Sequence, residues 1–468
     1  MKAQMKKLLV AAVFTICLGG LARADLANRI DGIISQSSQK NVKFSIHIVK
    51  ADTGKTVYSH NAGETLVPAS NMKIITSAAA LKYLGPNYEY KTAVGLRDDT
   101  LIVIGGGDPL LGDKVTDAKY NRKDGWIFQD IIAKLKRKRI RTVKDIIVDS
   151  SIFDDRRVHP NWPKKELNRW YACEVSGLNF NGNCIEITAK NTGGKVAVSI
   201  EPNTGFVKLI NKVKPISKGS SAVGSYRQTS PNTIVVNGKC RKQVGPFDVA
   251  IERPAAFFGF LLAENLAKSG IKVKGQLIEK TVGNDRKIRV LAEYKTSIAD
   301  CLARCNKNSL GLAAEALLKT IGANSEPGGK NGSWEGGRQL ISRYLLALDV
   351  DKGQFYIDDG SGLSRQNKLT ANAITSVLSD IYKSRHWELY KASLAVGGED
   401  GTIVKYFKEQ QYKGKIFAKT GWMTGVRAFS GVCSTEEGDY IFSILSNKTN
   451  SKTRNAFHDI AKAIIDSR

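Results

Sequence analysis

The chain has 468 residues and a formal net charge of +27, with 71 lysines and arginines against 44 aspartates and glutamates. This length allows two or three domains with well-buried cores. The charge favours an anionic wall or membrane surface as a partner, although surplus lysine can also serve only to keep a surface soluble. No zinc-finger, helix-turn-helix or aromatic-basic pattern accompanies the charge, which argues against a nucleic-acid-binding protein.

The first 24 residues have the pattern of a secretory signal. Three lysines within the first seven residues precede an apolar run from Leu8 to Leu21, and Ala22-Arg23-Ala24 forms a cleavage site. Removal of this segment lowers the net charge to +23, because it contains four cations and no acid. No later run approaches the ~18 apolar residues that a membrane span needs. The sequence therefore predicts an exported protein, periplasmic or associated with the cell envelope, that is soluble once the signal is removed.

Six cysteines follow the signal segment, and an even number permits disulfides in an exported protein. They are Cys173, Cys184, Cys240, Cys301, Cys305 and Cys433. The sequence does not choose among the pairings, and Cys173 with Cys184 is the pair that is easiest to accept. Cys301 and Cys305 stand four apart with only scattered histidines elsewhere, so we expect no metal site. We also expect no cofactor.

The first predicted elements are a hairpin and a helix. Apolar residues alternate with polar ones from Val42 to Ile48, as in a half-buried strand. Asp52-Thr53-Gly54 turns the chain and Thr56-Val57-Tyr58 returns it. A buried helix then runs from Ser70 to about Tyr83 and ends before Gly85-Pro86.

Ser70 and Lys73 share one face of this helix, since they are three residues apart. A serine hydroxyl becomes a nucleophile when a base removes its proton, and a lysine held neutral by burial and by a second cation can do so. This is the S-x-x-K pattern of acyl-serine enzymes that act on penicillin and D-alanyl peptides. The same spacing recurs at Ser37 and Lys40 in a polar stretch, so the motif alone also fits an ordinary core helix.

Residues 88–290 indicate mostly β structure, with turn signals at Asn181-Gly182 and Asn237-Gly238. One helix, from Pro254 to Lys268, is predicted by apolar residues at helical spacing. Gly105-Gly106-Gly107 lacks the helix and the Lys-Ser/Thr of a phosphate loop, so we expect a tight turn with close backbone packing. The predicted strands are Thr100 to Ile104, Asp145 to Val148, Cys184 to Thr188, Val196 to Ile200 and Thr233 to Val236.

From about residue 291 the helical pattern returns and then gives way to strands. Helices are predicted over Leu312 to Thr320, Arg338 to Leu348 and Thr370 to Lys383. Three consecutive antiparallel strands are predicted over Lys415 to Gly421, Arg427 to Cys433 and Tyr440 to Leu445. An amphipathic helix with Phe457, Ile460, Ala461 and Ile464 closes the chain.

The motifs occur in the order found in the penicillin-binding fold. Ser70-x-x-Lys73 is followed by Ser309 before an Ala-Glu-containing helix, and then by Lys419-Thr420-Gly421. Three other stretches resemble the class C low-molecular-mass penicillin-binding proteins, which form the D-alanyl-D-alanine carboxypeptidase/endopeptidase family. They are Gly105-Gly106-Gly107-Asp108-Pro109, Val148-Asp149-Ser150-x-x-Phe153-Asp154-x-x-Arg157-Val158-His159-Pro160 and Asp359-Gly360-Ser361-Gly362-Leu363-Ser364-Arg365.

The resemblance implies an α/β penicillin-binding, serine β-lactamase-like transpeptidase fold. The catalytic domain would be discontinuous, formed by residues 25–87 and 291–468. Residues 88–290 would form an insertion of two smaller, β-rich domains. Such an insertion accounts for the long separation of Ser70 from Ser309.

The resemblance also implies the catalytic roles. Ser70 would attack the carbonyl between two terminal D-alanines, or a D-amino-acid-linked cross-link, and water would hydrolyse the acyl-enzyme. Lys73 would take the serine proton, its pKa lowered by burial and by Lys419. Ser309 would pass that proton to the departing amine.

The remaining implied roles concern substrate binding. Lys419 and Thr420 would bind the substrate carboxylate, with Gly421 completing the motif. Backbone N–H groups of Ser70 and Trp422 would form the oxyanion hole. The implied activity is that of a serine-type D-alanyl-D-alanine carboxypeptidase on peptidoglycan stem peptides, with D,D-endopeptidase activity as an extension. β-Lactam antibiotics would act as acylating inhibitors.

One position departs from the pattern of the family. Gly311 stands where the second motif usually has asparagine, whose lost hydrogen bond costs ~1–3 kcal/mol, or roughly ten- to a hundredfold in rate. Asn306 or Asn308 could substitute, and the bulky Trp422 could narrow the substrate range. Two alternatives therefore stand beside the leading hypothesis. One is a penicillin-binding or wall-binding protein with impaired turnover; the other is a β-lactamase, for which we find no deacylating base.

Overall fold

The structure is a computed structural model that describes residues 25–283, 285–325 and 331–467. The predicted secretory signal lies outside the described residues. Within those ranges, no helix combines the length and the apolar character that crossing a bilayer requires.

Helices and strands alternate along the chain. The helices are α1 (25–34), α2 (Met72–Leu84), α3 (Lys114–Lys119), α4 (Trp126–Arg137), α5 (Pro254–Lys268), α6 (Ile298–Asn306), α7 (Gly311–Ser325), α8 (Trp334–Leu346), α9 (Ala371–Lys383), α10 (Trp387–Ser393) and α11 (Thr453–Asp466). The strands are β1 (Lys43–Lys50), β2 (Thr56–His60), β3 (Glu89–Arg97), β4 (Thr100–Ile104), β5 (Thr142–Val143), β6 (Ile146–Asp149), β7 (Cys184–Thr192), β8 (Lys195–Glu201), β9 (Lys208–Pro215), β10 (Ala222–Arg227), β11 (Thr233–Cys240), β12 (Gln243–Ala250), β13 (Lys272–Val273), β14 (Leu277–Glu279), β15 (Arg289–Ser297), β16 (Phe355–Tyr356), β17 (Lys368–Leu369), β18 (Ala395–Val396), β19 (Ile416–Met423), β20 (Val426–Thr435) and β21 (Gly438–Asn447).

The chain divides into two compact units. The first takes its described residues from Met1–Lys82, Leu302–Ser309 and Leu340–Arg468. The second is formed by Tyr83–Cys301 and Leu310–Gln339. The boundaries expected for a catalytic domain and its insertion stay a prediction.

The first unit is built on an antiparallel sheet with the strand order β18-β19-β20-β21-β1-β2. Helices α1 and α11 cover one face, where Leu26 and Ile30 pack with Phe457, Ile460 and the apolar residues of β1 and β21. Helix α9 lies against β1 and β21. The three C-terminal strands follow one another as the sequence predicts.

Strand β1 is buried on both faces, so the prediction of a half-buried strand is wrong. Phe44, Ile46 and Ile48 are buried as expected. Ser45 and His47, on the opposite face, are buried as well because they bond to helix α9: the Ser45 hydroxyl accepts from the Ala371 N–H at 3.3 Å, and His47 Nδ1 lies 2.6 Å from the Thr375 hydroxyl.

The second unit has a five-stranded mixed sheet with the order β14-β6-β4-β3-β15. Helices α4 and α5 pack together beside it, and their phenylalanines join one apolar core with Phe180. Two three-stranded sheets, β12-β7-β8 and β10-β11-β9, and the short pair β5-β13 complete the unit. The predicted strands and helix α5 are confirmed, whereas α3 and α4 were not predicted.

Two further predictions concern residues of this unit. The three consecutive glycines form a closely packed turn, because a Cβ at Gly105 would lie 2.3 Å from the Gly177 carbonyl oxygen and one at Gly106 would lie 2.2 Å from that of Lys91. The pairing of Cys173 with Cys184, which the sequence left open as the easiest to accept, is not found, since both residues are free, buried thiols.

Candidate active site

Ser70 lies in a short 3-10 turn, Ala69–Asn71, that leads into helix α2. Ala69 and Asn71 are fully buried, whereas Ser70 is partly exposed, so its hydroxyl is accessible beside a rigid backbone. Lys73 is buried, with a relative exposure of 2%. Its Nζ lies 3.3 Å from Ser70 Oγ. The spacing of the S-x-x-K motif therefore brings a hydroxyl and an amine within reach of a proton transfer.

The loop that contains Asp359-Gly360-Ser361-Gly362 holds Lys73 in place. Lys73 Nζ donates to the Ser361 carbonyl oxygen at 2.7 Å, and one turn along α2 the Thr76 hydroxyl donates to the Gly360 carbonyl oxygen at 2.8 Å. Gly362 has a φ of +82°, and a Cβ there would lie 1.8 Å from the Ala69 carbonyl oxygen. Only glycine allows this close approach of the loop to the 3-10 turn.

The buried carboxylate of Asp359 shapes the same loop. It accepts hydrogen bonds from the Gly362 N–H at 2.8 Å, from the Ser364 N–H at 2.6 Å and from the Asn367 side chain at 2.8 Å. The sequence marks this stretch only as a resemblance and assigns it no role. Its role in the structure is to direct a backbone carbonyl group at the Lys73 amine.

Lys419 and Ser309 form a second pair. Lys419 is fully buried on β19, and its Nζ donates to Ser309 Oγ at 2.9 Å and to the Thr420 carbonyl oxygen at 2.6 Å. Ser309 has a left-handed backbone, with a φ of +61°. Burial, and then the positive charge of Lys73, lower the pKa of Lys419 well below its usual value. The sequence predicted this effect for Lys73, for which it stays a prediction.

Gly421 brings β19 alongside Ser70. A Cβ at this position would lie 3.0 Å from the Pro68 carbonyl oxygen and 3.1 Å from the Ser70 backbone nitrogen. The next residue, Trp422, has a side chain that is 67% exposed. Strand β18 pairs only with Phe417 and Ala418, so within the described residues the edge of β19 beyond Ala418 has no strand beside it. The oxyanion hole expected from the N–H groups of Ser70 and Trp422 stays a prediction.

Two residues that sequence analysis missed support this arrangement. The Asn71 amide, oriented to satisfy both neighbours, donates to the Lys419 carbonyl oxygen at 3.0 Å and accepts from the Ser430 hydroxyl at 2.6 Å. The Thr402 hydroxyl lies 2.9 Å from the Thr420 hydroxyl. Neither residue stands at a spacing that predicts these contacts, because the chain brings them to β19 only through tertiary folding.

Thr402 belongs to a loop that is tied to the residues before Ser309. Its N–H donates to the Lys307 carbonyl oxygen at 3.2 Å, and the Lys307 ammonium pairs with the Asp400 carboxylate at 2.6 Å. Asp400 also accepts from the Val396 N–H of β18 at 2.9 Å. The loop thus connects the backbone next to Ser309 with the strand that contains Thr420.

Gly311 begins helix α7 and is closely packed within the second unit. A Cβ at this position would lie 2.9 Å from the Tyr171 carbonyl oxygen, so asparagine would not fit without a shift of that backbone. Of the two suggested substitutes, Asn308 is exposed. The Asn306 amide nitrogen is used in hydrogen bonds to the Ser77 and Ser393 hydroxyls, both at 3.0 Å.

Comparison with known proteins places these features in a family. The model of the D-Ala-D-Ala carboxypeptidase 3 (S13) family matches residues 26–465. A D-alanyl-D-alanine carboxypeptidase from Actinomadura sp. (strain R39) is 30% identical over 455 residues, which cover 92% of this chain and 82% of the relative.

Solved structures show the same fold. Penicillin binding protein 4 (dacB) from Haemophilus influenzae superposes with a TM-score of 0.78 at 21% identity, over 93% of this chain and 98% of that chain. A complex of the same protein with a β-lactam gives a TM-score of 0.72 at 20% identity, with the same coverage. The predicted α/β penicillin-binding fold is confirmed. With its family model matched over nearly the whole length, the chain belongs to the D-Ala-D-Ala carboxypeptidase 3 (S13) family and is a D-alanyl-D-alanine carboxypeptidase.

Proposed function

We propose that this carboxypeptidase acts through an acyl-enzyme on Ser70. Ser70 Oγ attacks the carbonyl carbon between the two terminal D-alanines of a peptidoglycan stem peptide, and Lys73 Nζ takes the hydroxyl proton. The observation that carries the proposal is the 3.3 Å separation of Ser70 Oγ from Lys73 Nζ, with the lysine buried beneath a partly exposed serine.

Collapse of the tetrahedral intermediate breaks the carbon–nitrogen bond and releases D-alanine. The departing amine takes a proton from the Ser309 hydroxyl, which is replenished from Lys419 at 2.9 Å. Water then attacks the ester and passes its proton through Ser309 to Lys419, while Lys73 returns its proton to the departing Ser70 Oγ. The backbone N–H groups of Ser70 and Trp422 stabilise the oxyanion in both steps.

Lys419, Thr420 and Gly421 form the binding place for the substrate carboxylate. Because burial lowers the pKa of Lys419, the free enzyme releases this proton more readily than an exposed lysine does. An arriving carboxylate favours the ammonium form, so substrate binding takes up a proton. The Thr420 hydroxyl, held by Thr402, adds a second donor to the carboxylate.

The same chemistry extends to two other partners. A D-amino-acid-linked cross-link presents the same type of bond, which supports D,D-endopeptidase activity as an extension. A β-lactam would acylate Ser70 in place of the peptide, as the complex of the Haemophilus influenzae protein with a β-lactam suggests. The predicted secretory signal supports a periplasmic location, where these substrates occur.

A pair of assays tests the proposal. A labelled penicillin should form a covalent adduct with the wild-type protein and with Ser37→Ala, but not with Ser70→Ala. The control removes the serine of the second S-x-x-K match. D-alanine release from a peptide ending in D-Ala-D-Ala should follow the same order. Absence of an adduct in the wild-type protein would refute the acyl-serine mechanism.

The assays also separate the alternatives that Gly311 raises. An adduct without D-alanine release would indicate a penicillin-binding protein with impaired turnover. Rapid hydrolysis of the penicillin itself would indicate a β-lactamase. Either result would leave Ser70 as the nucleophile and would change only the fate of the acyl-enzyme.

A further inference from the structure

The first unit contains a cleft with a volume of about 400 Å³ beside helix α11. One wall is the loop 405–409, which follows the 3-10 turn that contains Thr402. The other wall is formed by Asn455 and by the residues three, four and seven positions after it, which lie on one face of α11. We call this place the α11 cleft, and the residues of its helical wall are Asn455, His458, Asp459 and Lys462.

The aromatic side chains of the α11 cleft are fixed by packing. The centroid of the His458 ring lies 4.4 Å from that of Tyr406 and 4.9 Å from that of Phe407. The Tyr406 hydroxyl accepts a hydrogen bond from Arg454 at 2.9 Å, and Phe407 is buried. These rings are therefore in place before a ligand arrives, which lowers the entropic cost of binding.

Several polar side chains of the cleft have no partner within the protein. Among the described residues, none of the following side chains makes a hydrogen bond or an ion pair: Lys405, Lys408, Asn455, His458 and Asp459. Glu409 and Lys462, in contrast, pair with each other across the cleft at 2.6 Å. Charges of both signs are therefore available to a ligand, the lysines on the loop and the aspartate on the helix.

The cations near His458 exceed the acids that neutralise them. Burial, and then the charges of Arg454, Lys462 and Arg427, lower the pKa of His458 to about 4, so the ring is neutral at pH 7. Of these three cations, only Lys462 has a carboxylate partner in the described part of the chain, Glu409. Arg427 also has a buried Nε atom without a hydrogen-bond acceptor. An anion in the cleft would offset this excess of positive charge.

The α11 cleft lies on the opposite face of the sheet from Ser70. The Phe429 ring of β20 contacts the His458 ring, with centroids 6.3 Å apart. The hydroxyl of the next residue, Ser430, donates to the amide oxygen of Asn71, beside Ser70, at 2.6 Å. Because successive residues of a strand point to opposite faces, the cleft is not a part of the candidate active site.

The unpaired charges define the class of ligand. Lys405 and Lys408 require carboxylates, and Asp459 requires an ammonium group. A neutral sugar would leave all three charges unpaired, and a phosphate dianion would meet the carboxylates of Asp459 and Glu409. A volume of about 400 Å³ lies within the range of roughly 300–1,000 Å³ that is usual for pockets that bind small organic molecules, so the cleft can hold more than a single ion.

We propose that the α11 cleft binds a short acidic peptide that has a free amino group. The carboxylates of the peptide pair with Lys405 and Lys408, and its ammonium group pairs with Asp459. Its aliphatic part packs against the rings of Tyr406 and His458. This second peptide site requires neither Ser70 nor the acyl-enzyme chemistry.

Titration calorimetry with the dipeptide Ala-Glu tests the proposal, using the chain from residue 25 onward. We expect saturable binding, and the same binding after treatment with penicillin, because the cleft and Ser70 lie on opposite faces. Ala-Gln has the same shape but lacks one carboxylate, and N-acetyl-Ala-Glu lacks the ammonium group. Each should bind about tenfold more weakly or worse, as loss of one charged hydrogen bond implies.

Two variants assign the charges of the peptide to the walls of the cleft. Lys405→Gln/Lys408→Gln should weaken binding of Ala-Glu about tenfold or more, and should weaken binding of Ala-Gln less. Asp459→Asn should weaken binding of Ala-Glu by a similar factor and change that of N-acetyl-Ala-Glu less than about twofold, since that ligand has no ammonium group to lose.

A matched control removes two charges elsewhere in the first unit. Lys352 and Lys383 are exposed, lie outside the cleft and form no ion pair with any residue that the structure describes. Lys352→Gln/Lys383→Gln should change binding of Ala-Glu less than about twofold, because salt screens distant surface charge. The control and the cleft variants should all release D-alanine from a D-Ala-D-Ala peptide at the wild-type rate, which confirms that they fold.

Four results would overturn the proposal. Absence of binding by the wild-type protein at about 10 mM Ala-Glu would do so directly. Loss of binding after penicillin treatment would place the peptide at Ser70. Equally tight binding of inorganic phosphate would show a site for simple anions, and equal losses in the control and in the lysine variant would assign binding to net charge. Binding that depends on Asp459 in a protein that forms no penicillin adduct would support this proposal while refuting the acyl-serine mechanism.

Discussion

The proton on Lys419 links the candidate site to the stability of the protein. A buried lysine with a lowered pKa binds fewer protons in the folded chain than in the unfolded chain, over the pH range from its folded pKa up to about 10.4. Stability then rises with pH across this range. The cost of burying the charge is largest below the folded pKa and fades above it.

We therefore expect Lys419→Met to flatten the pH dependence of stability. The free energy of unfolding of the wild-type protein should increase relative to that of the variant as pH rises. The increase is up to about 1.4 kcal/mol per pH unit for one proton. Urea unfolding of both proteins at several pH values measures the difference. Parallel curves would show that Lys419 is charged throughout.

Gly311 gives a second test at the level of one residue. Gly311→Asn restores the usual motif but places a Cβ 2.9 Å from the Tyr171 carbonyl oxygen. We expect a loss of about 1–3 kcal/mol of stability from overpacking, and no gain in D-alanine release. Gly353→Asn is the control, because a Cβ at this exposed glycine meets nothing within 4 Å. A stable and faster Gly311→Asn enzyme would contradict the structure.

Among structural elements, the loop that contains Thr402 connects Ser309 with β19. Thr402→Val removes the hydroxyl that lies 2.9 Å from the Thr420 hydroxyl and keeps the shape of the side chain. We expect KM for a D-Ala-D-Ala peptide to rise about two- to tenfold, as loss of one hydrogen bond implies, with a smaller change in kcat. Thr402→Ser should retain the wild-type KM. A change in kcat alone would show that Thr402 does not act through the proposed carboxylate site.

The end of helix α4 supplies another prediction. Arg139 follows the helix with a φ of +59°, a left-handed conformation in which glycine is favoured. Arg139→Gly should therefore stabilise the protein by about 0.5–1 kcal/mol. Arg137→Gly, inside the helix, should destabilise it by a similar amount. Thermal unfolding of the two variants measures both effects, and equal changes would argue against strain at Arg139.

The elements differ in how well the sequence predicts them. Helix α5 follows from the helical spacing of its apolar residues. The three C-terminal strands follow from consecutive apolar runs divided by turns, and β20 and β21 are buried along most of their length. Helix α4 was missed although Ile127, Ile131 and Leu135 have helical spacing, since the surrounding strands suggested a mostly β region. Burial of both faces of β1 could not be foreseen, because polar residues such as His47 become buried only through bonds to another element.

For the whole molecule, the order of the motifs along the chain predicted the candidate site residues, but the contacts between the motifs could not be predicted from the sequence. Residue type and order predict Ser70, Ser309 and Lys419 as site residues, and the structure places a lysine amine beside each of the two serines. The geometry around them depends on chain segments far apart in sequence, as when Ser361 directs its carbonyl group at Lys73. Such a contact leaves no local pattern, and neither does the inward fit of Gly311 against Tyr171.

The buried cysteines have a consequence for handling and folding. Burial raises the pKa of the Cys173 thiol to about 12 and also raises the pKa of Cys184 and Cys433, so their reactive thiolates are scarce in the native protein. Opening of the chain exposes these thiols to oxidation. We expect refolding yields to fall in air and to recover with a reductant, which refolding with and without dithiothreitol would measure. The rate at which the thiols react with a chromogenic disulfide reagent would then measure how fast the native protein unfolds far enough to expose them.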